Sequence, residues 1–171
     1  PIKEKAAVVE NLPDTITQTR QSYDSTAAAK QLGAFAMYAK GTKELYTIEN
    51  DLIKLTLSSK GGRPYSVELK KYKTFSRKPV ILFNGDSTKF GLTFYEEQNR
   101  LISTNDLFFK APDSLPHNAT VHADSITMRL QVADNRYIEF QYTLKPGSYM
   151  VDFSMNLKGM NNIGTRDPNI L

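Results

Sequence analysis

His117 and His122 are the only imidazoles in the chain, and both lie in the segment SLPHNATVHADS. Imidazoles bind zinc or shuttle protons, but this spacing does not align two of them on one helix face. No acidic third ligand follows at a zinc-site interval, so both read as surface-loop histidines. Asn118-Ala119-Thr120 matches a glycosylation sequon, a pattern short enough to be common by chance. No serine sits in a G-x-S-x-G nucleophile elbow. Asp152, beside Ser154 and Asn156, falls on the polar side of an alternating run, and Glu139 alternates away from Ile138 and Phe140. Both read as solvated carboxylates, and nothing singles either out as a general acid or base.

The double glycine Gly61-Gly62 could cradle a phosphate if a helix began there, or if a P-loop lysine and threonine followed. Arg63, Pro64 and an alternating run follow instead. Glycine accepts positive φ without steric cost, so the pair reads as a corner between two strands. No cofactor and no metal are expected. The one unusual run is ELKKYKTFSRKP, in which Lys70, Lys71, Lys73, Arg77 and Lys78 interleave with Tyr72 and Phe75. Basic residues among aromatics can bind single-stranded nucleic acid, and they can equally face anionic lipid headgroups. The same composition also suits a solvated strand edge protected by lysines. A formal net charge of +4 is weak support for a nucleic-acid partner, and none is expected.

These residues must be positioned by a single domain, because 171 residues can bury one core. Apolar residues make up 40% and charged residues 23%, as in ordinary globular proteins. No apolar run is long enough to span a membrane. Cysteine is absent, which excludes disulfides and thiolate metal sites. The chain starts at Pro1 rather than Met and is expected to be an excised piece whose upstream targeting information has been removed.

Residues 1–21 are polar, proline-marked and aperiodic, and read as a tether. A helix is expected over 22–41, with Ala28, Leu32, Phe35 and Ala39 on one face and Gly41 as its left-handed C-terminal residue. After Tyr46 the chain reads as β. Ile53, Leu55 and Leu57 alternate before the glycine pair, and Tyr65, Val67 and Leu69 after it. The clearest strands are 124–132, 136–144 and 149–157, joined by ADNR and KPGS turns into an antiparallel meander. Weaker candidates are 80–84, 90–95 and 105–110. Strands with one apolar face build sandwiches.

Three segments, YTIENDLIKLTLSSKGGRPYSVELKKYKTF, PVILFNGDSTKFGLTFY and YIEFQYTLKPGSYMVDFSMNLKGMNN, together resemble the periplasmic domain of the bacterial membrane-protein insertase YidC in its Bacteroidetes form. The last of them carries Leu144, Lys145, Gly147, Tyr149 and Val151 in the order hydrophobic-x-K-x-G-x-Y-x-hydrophobic, feeding a long strand. The likeness extends from about Glu44 to Asn162. It implies an antiparallel β-supersandwich related to the galactose-mutarotase fold over 44–171, with one short helix before it and residues 1–40 as the tether leaving a first transmembrane helix. It also implies a non-catalytic scaffold in the periplasm, part of an inner-membrane protein. That scaffold would assist insertion of nascent membrane proteins and contact accessory proteins of the Sec translocon. The family domain is longer, so part of the sandwich is expected beyond Leu171. The mutarotase relationship leaves an alternative, a carbohydrate-binding or aldose-epimerase-like module. Epimerisation needs a glutamate and a histidine in the cleft, and neither histidine here lies in an expected strand.

Overall fold

The computed structural model describes residues 27–96, 98–112, 115–116, 118–121 and 124–160. The expected tether, the start of the expected helix, and both His117 and His122 lie outside the described residues. Residues 27–32 form a short α-helical segment that tightens into a 3-10 helix, Gly33–Tyr38. The change falls at Gly33, whose φ of 54° lies in the left-handed region. Arg100 closes the α-helical segment from outside, donating from Nη1 to the carbonyls of Ala29 (3.2 Å) and Lys30 (3.4 Å). A cation at that end also suits the helix dipole. Gly41 does not take the left-handed conformation expected of it. It is small for another reason, since a Cβ there would meet the Phe108 ring at 2.8 Å.

Ten strands follow. β1 (Leu45–Glu49), β2 (Ile53–Ser58), β3 (Arg63–Lys73) and β4 (Pro79–Asn84) pair in sequence as an antiparallel sheet, and β7 (Thr120–Val121) adds to β1 in parallel. β5 (Thr93–Tyr95) and β6 (Leu101–Ser103) form a small hairpin. β8 (Ser125–Ala133), β9 (Arg136–Leu144) and β10 (Val151–Lys158) form the expected meander. The alternation works as read in β8 and β9, for Ile126, Met128, Leu130, Ile138, Phe140, Tyr142 and Leu144 are all buried. They join Ile48, Ile53, Leu55, Leu57 and Val67 of the larger sheet in one core, so the two sheets share a single hydrophobic interior. The third strand starts at Val151 rather than 149, and Tyr149 before it, like Phe153, Met155 and Leu157 at the open edge of the sheet, is exposed. The fold is a mostly β, antiparallel sandwich with a short helix before it.

The segment expected as a strand over 105–110 is a 3-10 turn, Thr104–Asp106, followed by isolated bridges. Its residues serve both sheets at once. Phe109 N–H donates to the Ser59 carbonyl (2.8 Å), and Lys110 exchanges two backbone bonds with Arg129 of β8. A chain shared between two sheets cannot run alongside either, and continuous pairing is lost. The helical segment is fastened in the same region. Tyr38 donates its hydroxyl to the Gln131 carbonyl (2.6 Å) and accepts from the Gln131 N–H (2.9 Å), while Phe35 packs edge-on against Phe94 at 5.5 Å.

Candidate functional site

The glycine corner is closed to ligands by its own hydrogen bonds. Gly61 donates its N–H to the Leu107 carbonyl (2.8 Å) and Gly62 to the Ser59 carbonyl (3.3 Å). A phosphate cradle needs such donors free and convergent. The Gly62 carbonyl accepts the buried Tyr142 hydroxyl at 2.7 Å, which ties the corner to β9. Both glycines have positive φ, 84° and 60°, so the corner is a turn between β2 and β3.

In the shallow clefts the arginines, and the carboxylates of Asp86 and Glu139, already have partners. A cleft of about 700 Å³ beside the corner is bordered by Lys43, Lys60, Arg63, Lys89, Asp86 and Asp106 among others. Arg63 is buried and donates to Thr88 Oγ1 (2.5 Å) and Asp86 Oδ1 (3.1 Å), while Lys43 pairs with the same carboxylate at 2.8 Å. The hydrogen bond from Lys43, more than the nearby charge of Arg63, holds the Asp86 carboxyl below its ordinary range. A cleft of about 500 Å³ contains Arg129 and Glu139. Glu139 is half-buried rather than solvated, because it sits opposite Arg129 in the β8–β9 register and accepts from Arg129 Nε at 2.9 Å and from Nη2. Asp152 is exposed and pairs with Lys145 at 2.7 Å. Among the described residues no group of three or more His, Cys, Asp or Glu side chains converges on a metal position.

The basic run is divided by the fold. Lys70 pairs with Glu49 (3.2 Å) and donates to the Asn50 carbonyl (2.7 Å), and Lys71 lies 3.8 Å from Asp51. Lys73, Arg77 and Lys78 are exposed and make no ion pair or side-chain hydrogen bond with the described residues. They flank the turn between β3 and β4. Thr74 organises that turn: its N–H donates to the Lys78 carbonyl (2.8 Å), its carbonyl accepts from the Arg77 N–H (2.9 Å), and its hydroxyl accepts from the Lys78 N–H (3.2 Å). Arg77 takes the left-handed conformation (φ 60°) that glycine usually supplies in such a hairpin. Phe75, at the turn, has a relative accessibility of 108% and touches nothing.

A second turn lies beside the first. Asn50 donates from Nδ2 to the carbonyls of Lys145 (2.8 Å) and Ser148 (2.7 Å), and accepts at Oδ1 from the N–H groups of Leu52 and Ile53. Asp51 accepts from the Gly147 N–H at 2.8 Å, a bond that holds its carboxyl below the usual range, with smaller help from Lys71 and Lys70. The Tyr72 and Tyr149 rings meet across this junction at 6.1 Å, and Met150 beyond them is 73% exposed. Tyr149 and Met150 were not anticipated as part of a surface with the basic run. Their signal was available: two large apolar residues directly follow a Pro-Gly turn, where polar residues are the rule.

A profile of the YidC periplasmic domain family matches residues 45–164. Among relatives, the Membrane protein insertase YidC of Azobacteroides pseudotrichonymphae genomovar. CFP2 is 40% identical over 123 residues, covering 72% of this chain and 19% of that protein. The protein of the same name from Parabacteroides distasonis is 32% identical over 163 residues, 95% of this chain and 24% of the relative. That of Bacteroides fragilis is 38% identical over 134 residues, 78% of this chain and 20% of the relative. The chain therefore spans less than a quarter of the length of these curated relatives. No solved structure matches it significantly. Among the described residues no helix is long and apolar enough to cross a membrane. The match takes in the ten described strands and both turns of the exposed end, so the sandwich is the matched unit and the chain belongs to the YidC periplasmic domain family.

Proposed function

We propose that this chain is the non-catalytic periplasmic scaffold of an inner-membrane insertase. The whole protein would insert and fold nascent inner-membrane proteins, and the domain would hold accessory proteins of the Sec translocon close to it. The stretch Lys70, Lys71, Lys73, Arg77 and Lys78 is its contact region for an acidic partner surface or for anionic headgroups. The observation that carries this reading is the family match over residues 45–164, in relatives named as insertases. Its support from geometry is the contrast between clefts whose arginines and most of whose carboxylates already have partners and an exposed end where Lys73, Arg77, Lys78 and Phe75 have none among the described residues.

The test uses the whole insertase. Residues 45–164 are replaced by a flexible linker, and co-purification with Sec components is measured beside insertion of a substrate that does not need Sec. Loss of co-purification with retained insertion is expected. Unchanged co-purification would overturn the scaffold role, and abolished insertion of every substrate would overturn its accessory character. Polarimetry of freshly dissolved glucose with the present chain addresses the sugar-epimerase alternative. No acceleration is expected, and acceleration lost on His117→Ala or His122→Ala would overturn the non-catalytic reading.

A further inference from the structure

The exposed end combines three properties that seldom occur together on a soluble surface. Its projecting residues are apolar or aromatic: Phe75 and Met150 stand free, and the Tyr72–Tyr149 pair lies between them. Turns are normally the most polar parts of a chain, so large apolar groups here require an explanation other than folding. The acidic groups of this end are paired, Glu49 with Lys70, Asp51 with Lys71, and Asp152 with Lys145. Removing those pairs leaves Lys73, Arg77 and Lys78, an uncompensated charge of about +3 around the free phenylalanine. Finally, Arg77 keeps its side chain at a left-handed position where glycine or asparagine would be less strained.

We propose that this end docks on an anionic lipid bilayer. Phe75 and Met150 enter the boundary between headgroups and acyl chains, Tyr72 and Tyr149 lie at headgroup level, and Lys73, Arg77 and Lys78 meet lipid phosphates. Tyrosine is enriched at that depth because its ring is apolar and its hydroxyl is wet. Basic side chains next to inserted apolar groups supply the second signal that stable peripheral binding requires. A protein partner would need a broad complementary face of about 800 Å² on each side, whereas these are narrow, projecting turns. Asn50 and Asp51, in the β1–β2 turn, hold the β9–β10 turn that carries Tyr149 and Met150, and Lys70 and Lys71 of β3 pair with Glu49 and Asp51, so the end of β3 and the β9–β10 turn share one junction. This deepens the scaffold reading and rests on the chain being a domain of a membrane-anchored insertase.

The chain contains no tryptophan, so Phe75→Trp provides a single reporter at a fully exposed position where folding is not at stake. The full 171-residue chain carrying it is mixed with vesicles of phosphatidylglycerol and phosphatidylethanolamine, some with brominated acyl chains, and binding is scored by flotation so that aggregates do not count. A blue shift, quenching by bromine, and absence of both on pure phosphatidylcholine are expected. Replacing Lys73, Arg77 and Lys78 by glutamine should weaken flotation by roughly fivefold per cation, about a hundredfold together. Flotation without quenching would overturn insertion, and flotation unchanged by the triple substitution would overturn the assignment of these cations. No flotation at all would overturn membrane docking while leaving the scaffold reading to its own co-purification test.

Discussion

Replacing Gly62 by alanine tests whether the glycine pair is a structural corner. Two separate costs arise. The backbone at Gly62 has φ 60°, where an L-residue pays about 1 kcal/mol or slightly more. The added Cβ would also lie 2.8–3.0 Å from three atoms of the Phe109 ring. That ring is buried and stacks on Phe140 with centroids 4.7 Å apart, so it has no open space into which to retreat. Overpacking of this kind costs about 1–3 kcal/mol. The reduced freedom of the unfolded chain returns about 0.4–1 kcal/mol. A net loss of about 2–3 kcal/mol follows, a large part of the 5–15 kcal/mol that holds a typical domain together. Gly147→Ala is the matched control, because its φ is 68° and nothing lies within 4 Å of the new Cβ. It should lose about 1 kcal/mol or less. Gly61→Ala should fall between them, since the nearest atoms belong to the flexible Arg63 side chain, starting at 3.1 Å. Urea unfolding followed by circular dichroism gives all three values. Equal losses at Gly62 and Gly147 would refute the claim that ring contact, rather than backbone strain alone, demands glycine at the corner.

Three further outcomes are expected. Tyr142→Phe leaves the Gly62 carbonyl without its donor and should cost about 1–2 kcal/mol in the same unfolding assay. Burial raises the Tyr142 pKa, so stability is fully present below the unfolded value near pH 10 and falls as pH rises above it; the substitution should flatten that alkaline decline. Asn50→Ala removes the clamp that holds the β9–β10 turn against the β1–β2 turn, and should cost about 1–2 kcal/mol and weaken vesicle flotation without changing charge, whereas unaltered flotation would mean the placement of Tyr149 and Met150 does not matter to docking. β10 leaves Phe153, Met155 and Leu157 between 36% and 39% exposed at the edge of its sheet, so the chain should self-associate in sedimentation velocity, and Met155→Lys with Leu157→Lys should return it to a monomer.

The meander was legible because its signals are local. Ile126 to Val132 and Ile138 to Leu144 alternate strictly, and Asp134-Asn135 and Pro146-Gly147 sit where tight turns need them. The corner at Gly61-Gly62 was legible for the same reason. β6 and β7 were not, since three and two residues carry no usable period, and β7 is held by parallel pairing with a strand far away in sequence. The 105–110 segment has a strand's composition, but its hydrogen bonds are divided between two sheets. Gly41 drew the expected helix end away from Gly33, whose role depends on Arg100 arriving from the turn between β5 and β6. The exposed end shows the same limit. The sequence presents five cations as one run, yet carboxylates at Glu49 and Asp51 take two of them, and Tyr149 arrives from more than seventy residues away.

Function at the exposed end, and not in the clefts, is tested most directly by photo-crosslinking in the whole insertase within native membranes. A photoreactive residue is placed singly at Phe75, Tyr149, Lys60 and Lys89, the last two bordering the cationic cleft. Phospholipid adducts are predicted at Phe75 and Tyr149, with none at Lys60 or Lys89. Lipid-free tips together with adducts concentrated at the cleft positions would contradict the assignment and move the working surface to the cleft.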